Sequence, residues 1–167
     1  MSSHSFNPVQ ALEILTRHRV RFVVIGGIAG RLWGSTTVTN DLDICYARDK
    51  KNLEALARAL QELGARRRDA PENLALPVDA RALGLGDTFI FSTIAGNLDC
   101  IATPSGSQGF RDLVAGATKM QIETVSVLVV SLEDLIRLKK AAGRKKDLIE
   151  LEVLAALKDE IEKSSPM

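Results

Sequence analysis

Cysteine, histidine and aromatic residues are scarce in this chain. Two cysteines, Cys45 and Cys100, show no metal-type spacing, so neither a thiolate metal motif nor a disulfide framework is expected. The two histidines, His4 and His18, lie outside every motif, which argues against a zinc site or a histidine-based triad. No sign of charge dominates: 22 Lys and Arg face 21 Asp and Glu, for a net charge of +1. Composition therefore announces no nucleic-acid partner, although a local basic groove stays open. No apolar run is long enough to span a bilayer, and "MSSHSFNPVQ" lacks the charged-then-apolar plan of a signal peptide. The expectation is a cytoplasmic, disulfide-free protein with no membrane partner.

What the chain does have is the composition of a globular domain, 46% hydrophobic and 26% charged over 167 residues. A single domain over 1–167 is expected. Asn7-Pro8 makes a helix start, and Val9, Leu12 and Leu15 follow at helical spacing. "VRFVVIGG" is a β-branched run ending in glycines, the mark of a central strand. A short helix over Ile28–Gly34 and a second strand, "DLDICYA", come next. Asp49 caps an amphipathic helix with Leu53, Leu56, Ala57, Leu60 and Leu63 on one face, closed by Gly64. From Arg66 to Gly86 the pattern is weak, and Arg66-Arg67-Arg68 reads as a solvated turn. "DTFIFST" and "NLDCIAT" form a hairpin around Ala95-Gly96, and "MQIETV" and "SVLVVS" suggest more strand of open register. Ser131 with Asp134 starts a helix through Ala142, Gly143 breaks it, and "KDLIELEVLAALKDEIEK" forms a last helix. No repeat, low-complexity tract or linker divides the chain.

Asp41 and Asp43 alternate with Leu42 and Ile44, so strand parity puts both acids on one face, Cα atoms roughly 7 Å apart. Two carboxylates that close stay ionised cheaply only beside positive charge. A hard divalent cation, Mg²⁺ or Mn²⁺, meets that need, because it takes one or two carboxylates plus substrate phosphate oxygens. A bare Asp-x-Asp is a weak pattern and, taken alone, reads as an edge strand with a polar, solvated face. Gly26-Gly27 alone is a tight strand-to-helix turn, but beside the acids it is also a place where backbone N–H groups can approach a phosphate. Asp99, between Leu98 and Cys100, needs a partner if buried. It either joins the other two acids, as a metal ligand or base, or bonds to the Gly96-Asn97 backbone.

Around the Gly143 break lie Lys139, Lys140, Arg144, Lys145 and Lys146. They suit either phosphate binding or a solvated basic turn at a helix C-terminus. Lys139 borders the Leu135, Leu138 and Ala142 stripe and is expected to face the cleft. Cys45 and Cys100 read as small core residues, and Trp33 as packing or a stacking surface for a base.

"GGIAGRLWGSTTVTNDLDI" resembles the first motif of the DNA polymerase β-like nucleotidyltransferase superfamily, most nearly small bacterial AbiEii-type nucleotidyltransferase (toxin-related) proteins. "DLIRLKKAAGRKKDLIELEVL" is similar to the same group's C-terminal signature, and "GNLDCIA" falls between them in the expected order. The likeness covers most of Val23 to Leu154. It implies an α/β (α+β) fold with a mixed, mostly antiparallel sheet flanked by helices. It implies that Gly26 and Gly27 approach a nucleoside triphosphate, and that Asp41, Asp43 and Asp99 are the catalytic, metal-binding acids. Lys139 matches the signature lysine, with Arg144, Lys146 and Asp147 as its remainder, which implies nucleotide binding. The implied reaction is Mg²⁺-dependent transfer of a nucleoside monophosphate to an RNA (tRNA), protein or small-molecule acceptor, in a toxin–antitoxin setting with a cognate partner protein. Antibiotic modification, and a non-catalytic antitoxin or nucleotide sensor, are the alternatives. Thr37 stands where many relatives have arginine, and Trp33 where they often have histidine, departures that bear on triphosphate affinity. The spacing from Gly27 to Asp41 exceeds that of the minimal nucleotidyltransferases paired with HEPN-type toxins, which leans away from that group.

Overall fold

A computed structural model describes residues 5–71, 73–74 and 76–164. His4 lies outside the described residues. The elements in order are α1 (Pro8–Arg17), β1 (Phe22–Ile25), α2 (Gly26–Trp33), β2 (Asp41–Tyr46), α3 (Lys50–Glu62), β3 (Arg66–Arg67), α4 (Ala80–Leu85), β4 (Thr88–Thr93), β5 (Gly96–Ile101), α5 (Phe110–Ala115), β6 (Thr118–Ile122), β7 (Val125–Val129), α6 (Leu132–Ala142) and α7 (Lys145–Ser164). Among the described residues, seven strands form one sheet in the order β3-β4-β5-β2-β1-β7-β6. Antiparallel pairing joins β1 to β2, β3 to β4, β4 to β5 and β6 to β7; β1–β7 and β2–β5 are parallel. The expected mixed, mostly antiparallel sheet flanked by helices is present.

Local chemistry sets the helix starts. Asn7 Oδ1 accepts from the Gln10 N–H at 3.1 Å, Asp49 from Asn52, and Ser131 Oγ from Asp134 at 3.0 Å, each satisfying an otherwise unpaired first-turn donor. Gly143 ends α6 in the left-handed region, φ 65°, where a side chain is strained. The helix expected from Ile28 begins two residues earlier, because Gly26 and Gly27 themselves take up helical hydrogen bonding at the end of β1. "MQIETV" and "SVLVVS" resolve into a hairpin with Ile122 opposite Val125.

β1 is buried along its whole length, as a strand covered on both faces must be. β2 lies in the middle of the sheet between β1 and β5, which removes the solvated-edge-strand explanation for its acids. Leu42 and Ile44 are fully buried, whereas Asp41 and Asp43 are only partly so. The alternation continues outward: Phe89, Phe91, Leu98 and Cys100 are buried, while Ser92 and Asp99 are on the more open side. One face of β2, β5 and β4 therefore closes on the core formed with α1 and α3, and the other carries the polar residues.

Candidate functional site

Register brings the acids together. In the parallel β2–β5 pair, Asp43 lies opposite Asp99 and Asp41 opposite Asn97, so all three aspartates share the more open face. Asn97 Nδ2 donates to Asp41 Oδ1 at 3.1 Å. Burial, then the charges of Asp99 and Asp41, lift the Asp43 carboxyl to about 7, against the opposing pull of Lys139 and Lys146. Burial also raises Asp99, while Arg68 holds it down.

Asp99 does not bond to the Gly96-Asn97 backbone. Its Oδ1 accepts from Arg68 Nη2 at 2.9 Å, and Arg68 Nη1 donates to the Phe91 carbonyl at 2.6 Å. The solvated-turn reading of Arg66-Arg67-Arg68 is thereby corrected. Arg66 and Arg67 form β3, pairing with Ser92 and Phe91 at the sheet edge, and Arg68 continues the ladder through its N–H to Ile90 at 2.9 Å. Strand pairing with β4, absent from local pattern, overrides the charge run. The signal that could have found Arg68 is the demand of an acid in an apolar strand for a cation.

Gly26 adopts φ +69°, and a Cβ there would run into the Asp43 carboxylate. Glycine is therefore required by both backbone angle and the acid's position. Gly27 has a different cause: its Cβ would meet Thr39 Oγ1 at 2.7 Å, so close packing of the β2 approach excludes a side chain.

Lys139 departs from the expected cleft-facing position. It is 9% exposed, with Nζ 3.0 Å from Glu150 Oε2 and 3.5 Å from Asp147 Oδ1, so its ammonium ties α6 to α7. An apolar stripe border marked burial correctly, but α7 folding back over α6 decided the direction. Asp147 is fully buried and also accepts from Arg144 Nε at 2.7 Å and the Arg144 N–H at 3.1 Å. Arg144 and Lys146 are exposed, and both feel Asp43 electrostatically. Glu150 gave no local signal; it sits one turn beyond Asp147, and its Oε1 is buried without a hydrogen-bond partner, close to Gly30.

The remaining candidates are structural. Trp33 Nε1 donates to the Val130 carbonyl at 2.8 Å, and its half-buried ring packs on the core. Cys45 and Cys100 are buried free thiols, Cys45 raised to about 12 by burial, which makes them poor nucleophiles. Thr37 closes a turn with Ser35, its N–H donating to Ser35 Oγ at 3.2 Å.

Among the described residues, no three acidic, histidine or cysteine side chains close around a common point as a ready-made metal cage. Asp41 is turned to Asn97 and Asp99 to Arg68. The donors are nonetheless hard carboxylate oxygens, and burial, then the neighbouring acids, push the Asp43 carboxyl up to about 7, a cost that a bound cation would relieve. That chemistry fits Mg²⁺ or Mn²⁺ completing its shell with water and substrate oxygens.

A strand, a glycine turn into a helix and a central strand bearing two acids, with a third acid on the parallel neighbour, define a nucleotidyltransferase fold. The chain is similar in structure to the lincosamide antibiotic adenylyltransferase LnuA in its lincomycin-bound form, at 14% identity over 90% of this chain and 95% of that one, TM-score 0.61. It is also similar to a Thermotoga maritima protein provisionally assigned as a nucleotidyltransferase, at 15% identity over 96% of this chain and 97% of that one, TM-score 0.50. No family model and no curated protein sequence matches the chain. Among the described residues, no helix is long and apolar enough to cross a membrane.

Proposed function

We propose that the chain is an enzyme that transfers a nucleoside monophosphate from a nucleoside triphosphate to a hydroxyl acceptor. The observation that carries this reading is the row of Asp41, Asp43 and Asp99 on one face of the central strands, directly against the Gly26 turn. Asp41 and Asp43 would hold a divalent cation, with Asp99 as the third acid of the row. When bound, the cation neutralises charge on the triphosphate and on the departing pyrophosphate. The Gly26-Gly27 turn, packed against Asp43 and Thr39, would meet phosphate oxygens through its backbone N–H groups, and exposed Arg144 and Lys146 supply positive charge beside the acids. In the transfer, the acceptor oxygen bonds to the α-phosphorus as the bond from that phosphorus to the bridging oxygen breaks. The pyrophosphate leaves, and the acceptor's proton passes to Asp99.

The acceptor we favour is a hydroxylated small molecule of antibiotic type, supported by the structural likeness to the lincosamide adenylyltransferase. An RNA or protein acceptor, as in a toxin–antitoxin pair, rests on the sequence motifs alone. The test is incubation with α-labelled nucleoside triphosphates and Mg²⁺ against lincosamides and other hydroxylated antibiotics, total RNA, and lysate protein, with Asp43→Asn as the blank. Label in the antibiotic pool supports the small-molecule reading, and label in RNA or protein replaces it with the toxin-like one. Failure of the protein to bind any nucleotide in a Mg²⁺-dependent way overturns nucleotidyl transfer altogether.

A further inference from the structure

Arg68 lies in the stretch outside both resemblance motifs, yet it reaches the acid row. Three anchors hold it: its N–H on the Ile90 carbonyl at 2.9 Å, Nη1 on the Phe91 carbonyl at 2.6 Å, and Nη2 on Asp99 Oδ1 at 2.9 Å. The side chains of Arg68 and Asp99 are 25% and 19% exposed, which keeps their pairing partly shielded from water. A guanidinium fixed at both backbone and side chain is preorganised and loses little entropy on pairing. Asp99 is the direct register partner of Asp43. A second cation at this acid row would stand roughly 4 Å from the first and share the Asp43–Asp99 side of it. That is where Arg68 already supplies positive charge.

We propose that Arg68 is a built-in counter-charge at Asp99, so that the acid row takes a single divalent cation, between Asp41 and Asp43. The proposal rests on the nucleotidyl-transfer reading and refines it. Arg68 acts through Asp99 and is a positioning residue. It keeps one carboxylate oxygen occupied and leaves the other to the acceptor hydroxyl, with no second metal needed to orient that carboxylate.

The experiment counts cations directly. Mn²⁺ bound per chain is measured by electron paramagnetic resonance titration at saturating non-hydrolysable nucleoside triphosphate, and the nucleotide-only background is subtracted. Wild type is expected to bind one Mn²⁺. Arg68→Gln, which keeps hydrogen-bonding groups near Asp99 and the Phe91 carbonyl but drops the charge, is expected to bind two. Arg68→Lys, which restores the charge, is expected to return to one. Circular dichroism on both variants establishes that the comparison is between folded proteins, and Arg68→Met replaces Arg68→Gln if the latter does not fold. Two Mn²⁺ in wild type, or one in both wild type and the neutral variant, overturns the counter-charge role and leaves nucleotidyl transfer standing. No Mn²⁺ in any of them, with Asp43→Asn indistinguishable from wild type, overturns both.

Discussion

Asp43 is ionised only at a cost, because it is buried beside Asp99 and Asp41 and is lifted to about 7. A carboxyl whose folded value exceeds its unfolded value near 4 stabilises the folded state fully below about pH 4. That contribution fades as pH rises through about 7. The metal-free protein should therefore unfold at lower temperature at pH 8 than at pH 5.5. Asp43→Asn should flatten this slope and raise the metal-free melting temperature or leave it unchanged, while abolishing transfer and most metal-dependent stabilisation. A trade of stability for function of this kind is expected at a working site. Calorimetry of the two proteins at both pH values, with and without Mg²⁺, checks it; strong destabilisation by Asp43→Asn, with transfer intact, would make the aspartate a structural residue.

Gly26 belongs to the same scale. Its φ of +69° costs about 1–2 kcal/mol for a residue with a Cβ, before contact with the Asp43 carboxylate is counted. Gly26→Ala should lose at least that much stability in chemical denaturation and displace the carboxylate, with transfer falling further than stability. At Gly27 the obstacle is Thr39, so a bulky substitution there disturbs β2 packing as well as any phosphate approach.

At the scale of elements, the α6–Gly143–α7 corner is held from inside by Lys139, Asp147 and Glu150. Removing one partner of a buried ionic group leaves the others uncompensated, which typically costs 3–5 kcal/mol. Lys139→Ala should destabilise by about that amount in urea unfolding, whereas exposed Lys140→Ala should change stability by less than about 0.5 kcal/mol. Equal effects would mean that the buried network carries no energy. Because Lys139→Ala changes stability, its effect on nucleotide binding must be compared at temperatures where both proteins are folded. The sequence marked this corner by a glycine and a basic cluster. It was silent on Glu150, because nothing within one helical turn distinguishes a glutamate that will be buried from one facing water.

Among the described residues the strands form one open sheet whose central strands carry the acids and whose β3 edge carries the arginines. Binding that needs both cation and nucleotide should show as linkage. A nucleoside triphosphate with Mg²⁺ at a hundred times its Kd adds about 2.7 kcal/mol to stability, and the same nucleotide with chelator should add far less. Thermal shift under the two conditions reads this directly, and equal shifts would remove the cation from the site.

Local chemistry by itself determined much of the chain: the capped starts at Asn7, Asp49 and Ser131, the glycine turn after a buried strand, and the parity that aligns Asp41 with Asp43. Each depends on residues only a few positions apart, so each is legible without the fold. Only the tertiary structure decided that β2 is central, that Asp99 faces Asp43 across a parallel pair, and that Arg68, 31 residues from Asp99, pairs with it. It also decided that Lys139 turns inward to α7. The physical reason is common to these cases. A charged side chain has no intrinsic preference strong enough to choose its partner, and the strand order and helix crossings that bring partners within 3 Å are set by burial of the apolar faces opposite them.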